Sequence, residues 1–511
     1  MKLNISFFLI SALLLLGSCK DLNTVNTNNP DRDDVLSSGA DLQAVLNGAY
    51  ATWWQAVHGE QPVIALSVTA DAYGMSWADF GAQRLGEEPR TAYNNRVSEE
   101  ESYQLVAVAP WYGCLSAASS ATDILRALEA GVSIDNGGPS DQSIRAGARF
   151  LRGVSWGYLG LIFDQGLLVD EDTDVTQPLS FADYDEMITA AVAELEAGIA
   201  LAEQTGQNFI LSVFSGLTLG ETEFIQLSHS YTARFLAQWP RTEAENQTVN
   251  WQAVLEHAEQ GLDFDFAPLA DGNRWQSYHK YVFAETGQGN FWARLDQRLV
   301  AALDPSQPAR YPEVIAEGEA PLDNPMASSE DRRLAADFVF LPKNNFPADR
   351  GEWHYSHYKH NRNKSDPSFA GNGATTGPMP AFLAADNTLL RAEALLRIGR
   401  KADAIAVING GTRGSRGGLP PLSASASEAA VERAIFYERA IELLSTGPMG
   451  LWFDRRRIGP RQNYREVDAL GGLQTGTPAH LPVPAEELRI REMEPYNFGG
   501  PADPEGTDPV F

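Results

Sequence analysis

Three histidines recur at every third position in Trp353-His354-Tyr355-Ser356-His357-Tyr358-Lys359-His360. On a helix that spacing keeps imidazoles near one face, where they could hold zinc or nickel. The interleaved aromatics favour an extended strand instead, on which His354 and His357 point to opposite faces. No acidic or cysteine ligand is fixed nearby, so these histidines read as exposed side chains and no metal site is expected. Asp170, Asp172 and Asp174 alternate like the start of a calcium loop. Val175 replaces the glycine required next and Phe181 stands at the closing glutamate position, so the stretch reads as a solvated acidic loop. Glu87-Glu88 and Glu99-Glu100-Glu101 supply carboxylates. Charge runs are usually solvated faces, and nothing in the sequence sets two of them across a scissile bond. There is no His-Glu-x-x-His, no Gly-x-Ser-x-Gly and no phosphate loop. Gly371-Asn372-Gly373 and Gly377 lack the strand–turn–helix context of a dinucleotide site. The chain reads as a non-enzyme without a cofactor.

Aromatic residues carry more chemistry. Trp53-Trp54, Tyr73 and Trp77 lie early, Trp275, Tyr278, Tyr281, Phe291 and Trp292 lie midway, and Trp353, Tyr355 and Tyr358 follow. A sugar ring has an apolar C–H face and polar edges. Aromatic faces stack on the first, while Asn, Asp, Arg and Gln bind the second. Trp77 has Asp79 close by, and Trp275 has Asn273, Arg274 and Gln276 beside it. Core packing is the competing role for any one of them.

Helical periodicity supplies the elements that must position these residues. Apolar side chains recur at helical spacing over 41–57, 102–129, 142–163, 184–203, 221–239, 251–262, 381–398, 402–408 and 427–444. They group as pairs near 41–130, 142–203, 221–262 and 379–409. Small residues such as Ala394 stand where the last pair should touch. Residues 263–378 are rich in Gly, Pro, Asn and aromatics and read as a long loop-rich insertion with few short strands. The 511 residues carry a net charge of −28, which disfavours nucleic acid and anionic lipid surfaces as partners. Cys114, among Trp111 and Leu115, reads as a buried small hydrophobe. Residues 1–18 combine Lys2 with a short apolar run, as in a signal peptide. Leu16-Gly17-Ser18-Cys19 resembles a bacterial lipobox, which implies a lipid on Cys19 and a flexible tether over 19–38.

Three signatures are more specific than their parts. Arg391-Ala392-Glu393-Ala394, Ile408-Asn409, and Arg413 and Arg416 before Gly417-Gly418-Leu419 form the first. Glu438-Arg439, Glu442-Leu443, Gly447 and Trp452-Phe453-Asp454-Arg455-Arg456 form the second, within 427–488. His480-Leu481-Pro482-Val483-Pro484-Ala485-Glu486-Glu487 is the third. Arg149-Phe150-Leu151-Arg152-Gly153 with Tyr158-Leu159 adds a looser match. In order and rough spacing they resemble the SusD/RagB family of outer-membrane nutrient-binding lipoproteins. The resemblance implies a mainly α body over 39–511, a tetratricopeptide-like helical-repeat scaffold. It implies a lipid-anchored protein on the cell outer membrane that captures an oligosaccharide or peptide. It further implies a SusC-like TonB-dependent transporter as partner. Family members bind ligand among irregular loops away from the repeats, which singles out Trp77, Trp275 and Tyr278 as ligand-binding candidates. A surface glycoside hydrolase and a ligand-free envelope scaffold are the rival readings. The Glu438–Arg456 signature is expected to be structural, with charge pairs locking the last helix to the turn after it.

Overall fold

The computed structural model describes residues 36–59, 61–75, 81–276, 293–311, 325–342, 354–362 and 376–511. Cys19, the signal segment, Trp77, Tyr278 and Trp353 lie outside these residues.

The body is a series of helical pairs. Helices α1 (Gly39–His58) and α2 (Glu101–Glu129) pack together, followed by α3 (Pro139–Ile162) with α4 (Tyr184–Thr205). Next come α5 (Glu221–Gln238) with α6 (Trp251–Glu259), then α7 (Ala384–Arg397) with α8 (Lys401–Gly410). α9 (Glu428–Glu442) packs on α7. Local chemistry starts these helices. Ser38 and Ser427 accept backbone N–H groups at the starts of α1 and α9, and at α4 the Glu186 carboxylate accepts from the Asp183 backbone N–H at 3.0 Å.

Small residues let the helices approach. A Cβ on Gly157 of α3 would sit 2.2 Å from the Phe235 ring of α5, so that crossing tolerates only glycine. Ala394 and Ala404 are fully buried at the α7–α8 contact, as the periodicity requires. Cys114 is buried and free. One departure concerns the segment after Gly447. Where the sequence suggests a turn, a short helix α10 (Gly450–Arg456) follows Met449, whose φ is +56°.

Strands are short and come in antiparallel pairs. Leu269–Asp271 pairs with Thr376–Pro378, so the insertion leaves and rejoins the scaffold at one stem. β1 (Tyr73–Met75) pairs with β2 (Ala293–Leu295). β3 (Phe338–Phe340) pairs with β4 (Tyr358–His360). The expected strand character holds at His360 alone, since His354 lies at a turn and His357 at a bend before β4, and the expected exposure holds at none of the three. His354, His357 and His360 are 6%, 2% and 3% exposed. His357 stacks on Phe340 and shares a hydrogen bond with the Leu341 carbonyl at 2.8 Å, while His360 meets the Phe338 ring edge-on. Cross-strand aromatic pairing has covered them.

A second histidine pair joins α5 to α6. His229 Nδ1 lies 2.8 Å from His257 Nδ1, so one ring donates to the other only while at least one is neutral. Burial, then the neighbouring imidazole, pushes His229 down to about 4; burial also lowers His257, against opposing pulls from Glu196 and Glu256. A histidine lowered in the folded state makes the unfolded chain bind more protons between about pH 6.5 and 4. Stability from this pair is complete above that window and declines as pH falls through it. The melting temperature should therefore drop from pH 6.5 to 5 by more in the parent protein than in His229→Asn. Parallel curves for the two would show that the pair does not titrate as a unit.

Candidate functional site

The ribbon joins two distant parts of the chain. In the β1–β2 ribbon Met75 faces Ala293 and Tyr73 faces Leu295, so β1 ends where β2 begins. The preceding part of the insertion docks on α1. Gln55 Nε2 donates to the carbonyls of Asn273 and Arg274 at 3.2 and 2.9 Å, and Trp54 Nε1 donates to that of Gln276 at 2.5 Å.

Trp275 itself is a core residue here. It is 8% exposed, with its ring 5.1 Å from Trp54 and 6.4 Å from Phe214. The polar neighbours that suggested an open platform are turned outward while the indole packs inward. Alternation of buried and exposed residues in a loop is not fixed by periodicity, which is why sequence could not choose.

Beneath the ribbon lies a buried ionic network. Asp71, at φ +58°, accepts hydrogen bonds from Arg90 at 2.6 Å, Arg298 at 2.8 Å and Gln474 at 3.1 Å, with Arg455 at 3.5 Å. Glu88 accepts from Arg298 at 2.5 Å, Arg310 at 2.7 Å and Gln474 at 2.9 Å, and lies 2.6 Å from His354 Nε2. Burial alone would raise both acids. For Asp71 the guanidinium groups of Arg298, Arg90 and Arg455 outweigh it; for Glu88, His354, Arg298 and Arg90 do, and hold it far below the usual carboxylate range. The reading of Glu87-Glu88 as a solvated run fails at Glu88, whose side chain is 1% exposed. Its partners lie more than two hundred residues away in sequence, so no local pattern announces them. Asp71 and Glu88 are thus engaged by cations, an arrangement that fixes the backbone under the ribbon.

The signature residues build comparable locks. Arg439 Nε donates to Asp454 at 2.6 Å, the pairing expected between α9 and the segment after it. Arg457 spans both oxygens of Glu393 at 2.7 Å each. Glu438 and Glu442 instead bind Arg333 of the insertion, and Glu442 also binds Arg362 and Arg416. Arg456 donates to the carbonyls of Leu161, Ala479 and Gln238, tying three segments together. Asp170 and Asp174 accept from Thr173 and Thr176 within their own exposed loop. A cavity of about 40 Å³ beside Tyr73, Arg234 and Asp386 has room for water but not for a sugar.

These features define a helical-repeat body that presents an irregular, ion-locked face carrying aromatic segments. Residues 269–492 match the model of the SusD family, a stretch that contains all three signatures. In that stretch the chain is similar to the SusD family. Its fold resembles a SusD homolog from Bacteroides thetaiotaomicron, with TM-score 0.60 and 15% identity over 89% of this chain and 96% of that one. A SusD superfamily protein from Parabacteroides distasonis gives 0.61 and 13%, covering 89% and 97%. A SusD-like carbohydrate-binding protein from Bacteroides fragilis gives 0.56 and 13%, covering 83% and 86%. At these identities the structural likeness is one of fold. No curated protein matches the sequence.

Proposed function

We propose that this protein is a non-catalytic, lipid-anchored surface receptor that captures an oligosaccharide and passes it to a SusC-like TonB-dependent outer-membrane transporter. One observation carries the reading. The β1–β2 ribbon is locked by buried charge pairs, and Trp77 follows β1 by two residues in the sequence. An aromatic beside a rigid ribbon, with Tyr278 as the second candidate, suits the stacking that a pyranose needs. The carbohydrate-binding relative from Bacteroides fragilis supports a sugar over a peptide. Under the ribbon, Glu88 and Asp71 are engaged by arginines and are not the opposed acid and base that a hydrolase needs. No helix among the described residues is long and apolar enough to cross a membrane, and the tether proposed at Cys19 would hold the body at the surface.

Glycan and peptide binding arrays, run beside co-purification from solubilised envelopes, test the whole reading. A bound glycan, no turnover of it and a co-purifying barrel are expected. Glycan cleavage by the pure protein would transfer it to the hydrolase class, and a peptide as sole ligand would change the cargo. Trp77→Ala should remain folded and lose roughly tenfold in glycan affinity, the equivalent of about 1.4 kcal/mol. Trp275→Ala should instead lose thermal stability, because its indole packs on Trp54. Normal binding by Trp77→Ala would move the groove elsewhere, with Tyr355 next to be tested.

A further inference from the structure

A second cavity, of about 550 Å³, opens where residues 480–511 cover the end of the α3–α4 pair. Its walls are largely aromatic and apolar: Tyr496, Phe498, Met493 and Phe511, the last two 43% and 77% exposed. Two polar groups face it, a buried histidine and a half-buried aspartate. His480 is 4% exposed, its ring 4.1 Å from Phe498, and neither ring nitrogen meets a partner at hydrogen-bond geometry. Burial, then Arg241 and Arg456, keep this imidazole neutral, with the Thr507 backbone a smaller opposing effect. Asp164 accepts through Oδ2 from the Tyr496 hydroxyl at 2.6 Å and from Gln165 at 3.2 Å. Its Oδ1 is buried without a hydrogen-bond donor.

Asp164 departs from the pattern of this protein. Asp71, Glu88, Glu393 and Glu438 are each bound by an arginine. Asp164 has no ion pair, and Arg241, which it senses electrostatically, is spent on the carbonyls of Trp239, Gly160 and Phe163. Burial accordingly pushes its acid up to about 6, only partly offset by Tyr496 and nearby backbone amides. Among the described residues, no lysine or arginine lines the cavity, while Asp183 and Glu494 add carboxylates to the wall. An anion would be repelled there, and a neutral ring would leave the half-buried carboxylate uncompensated. A cation with an apolar body satisfies both, since aromatic faces attract ammonium groups as well as hydrocarbon.

We propose that this cavity binds a small organic ammonium ion, its nitrogen at Asp164 Oδ1 and its body against Tyr496, Phe498 and Phe511. The site is separate from the sugar platform and does not depend on that reading. The test is calorimetric titration of the full chain with benzylamine, benzyl alcohol and glucose at pH 7.5. Benzylamine should bind at least about tenfold more tightly than benzyl alcohol, the neutral analogue of the same shape. Asp164→Asn should abolish that preference with the melting temperature preserved. Phe511→Ala, at an exposed position that cannot threaten the fold, should weaken benzylamine severalfold and provides the test should Asp164→Asn misfold. Equal binding of amine and alcohol, preferential binding of glucose, an unchanged Asp164→Asn or Phe511→Ala, or no saturable amine binding below about 10 mM would each overturn the proposal.

Discussion

Arg333→Met should cost the protein about 3–5 kcal/mol, the range for removing one partner from a buried charge cluster. Arg333 is fully buried and binds Asp331 at 2.7 Å, Glu438 at 2.7 Å and Glu442 at 3.1 Å. Burial would lower the arginine, but the hydrogen bonds and charges of Asp331 and Glu438 hold it firmly protonated. Methionine fills similar volume yet leaves Asp331 and Glu438 without their counter-ion, while Glu442 keeps Arg362 and Arg416. Arg333→Lys should fall between, because a point charge cannot serve the forked set of acceptors. Adding Glu438→Gln and Glu442→Gln to Arg333→Met should restore part of the loss, since the damage lies in uncompensated charge. Denaturant unfolding reads all of these. A single-variant loss under about 0.5 kcal/mol, the scale of ordinary surface substitutions, would mean that the cluster is hydrated and the lock illusory.

Glu88→Gln should act more locally and more on binding. The carboxylate joins Arg298, Arg310, His354 and Gln474 under the ribbon. Glutamine keeps the shape but places an amide N–H₂ against one of these donors and removes the charge that balances two guanidinium groups. Hydrogen exchange at 73–75 and 293–295 should accelerate while α3 and α4 keep their protection, because stability is divided among local units. Glycan affinity should fall by more than about tenfold as the ribbon loses its lock, if the proposed site borders it. Intact exchange protection at the ribbon, whatever the affinity, would show that Glu88 does not hold it.

The helical part of the molecule was legible because its information is local. Apolar spacing located α1 to α9 closely, and Ala394 lies where two helices touch. The face opposite was not legible in the same way. The pairing of 73–75 with 293–295, the burial of Glu88 and the inward turn of Trp275 depend on residues hundreds of positions apart. The strand after His357 was anticipated, while the burial of His357 was not, since its ring stacks on Phe340 of β3 rather than on its own segment. Asp164 gave no signal at all: its character comes from the arginine that is not beside it.

The ionic network under the ribbon also sets an order of events. Asp71 must wait for Arg455, 384 residues later, and for Gln474, 403 residues later. The helical pairs need only neighbours that have already been made, and contacts between near neighbours form first. A chain emerging from its N-terminus can therefore complete its early hairpins while Asp71 and Glu88 still lack their last partners. The locked face is completed late, after synthesis has passed Gln474, so a partly made chain holds scaffold without its ionic network.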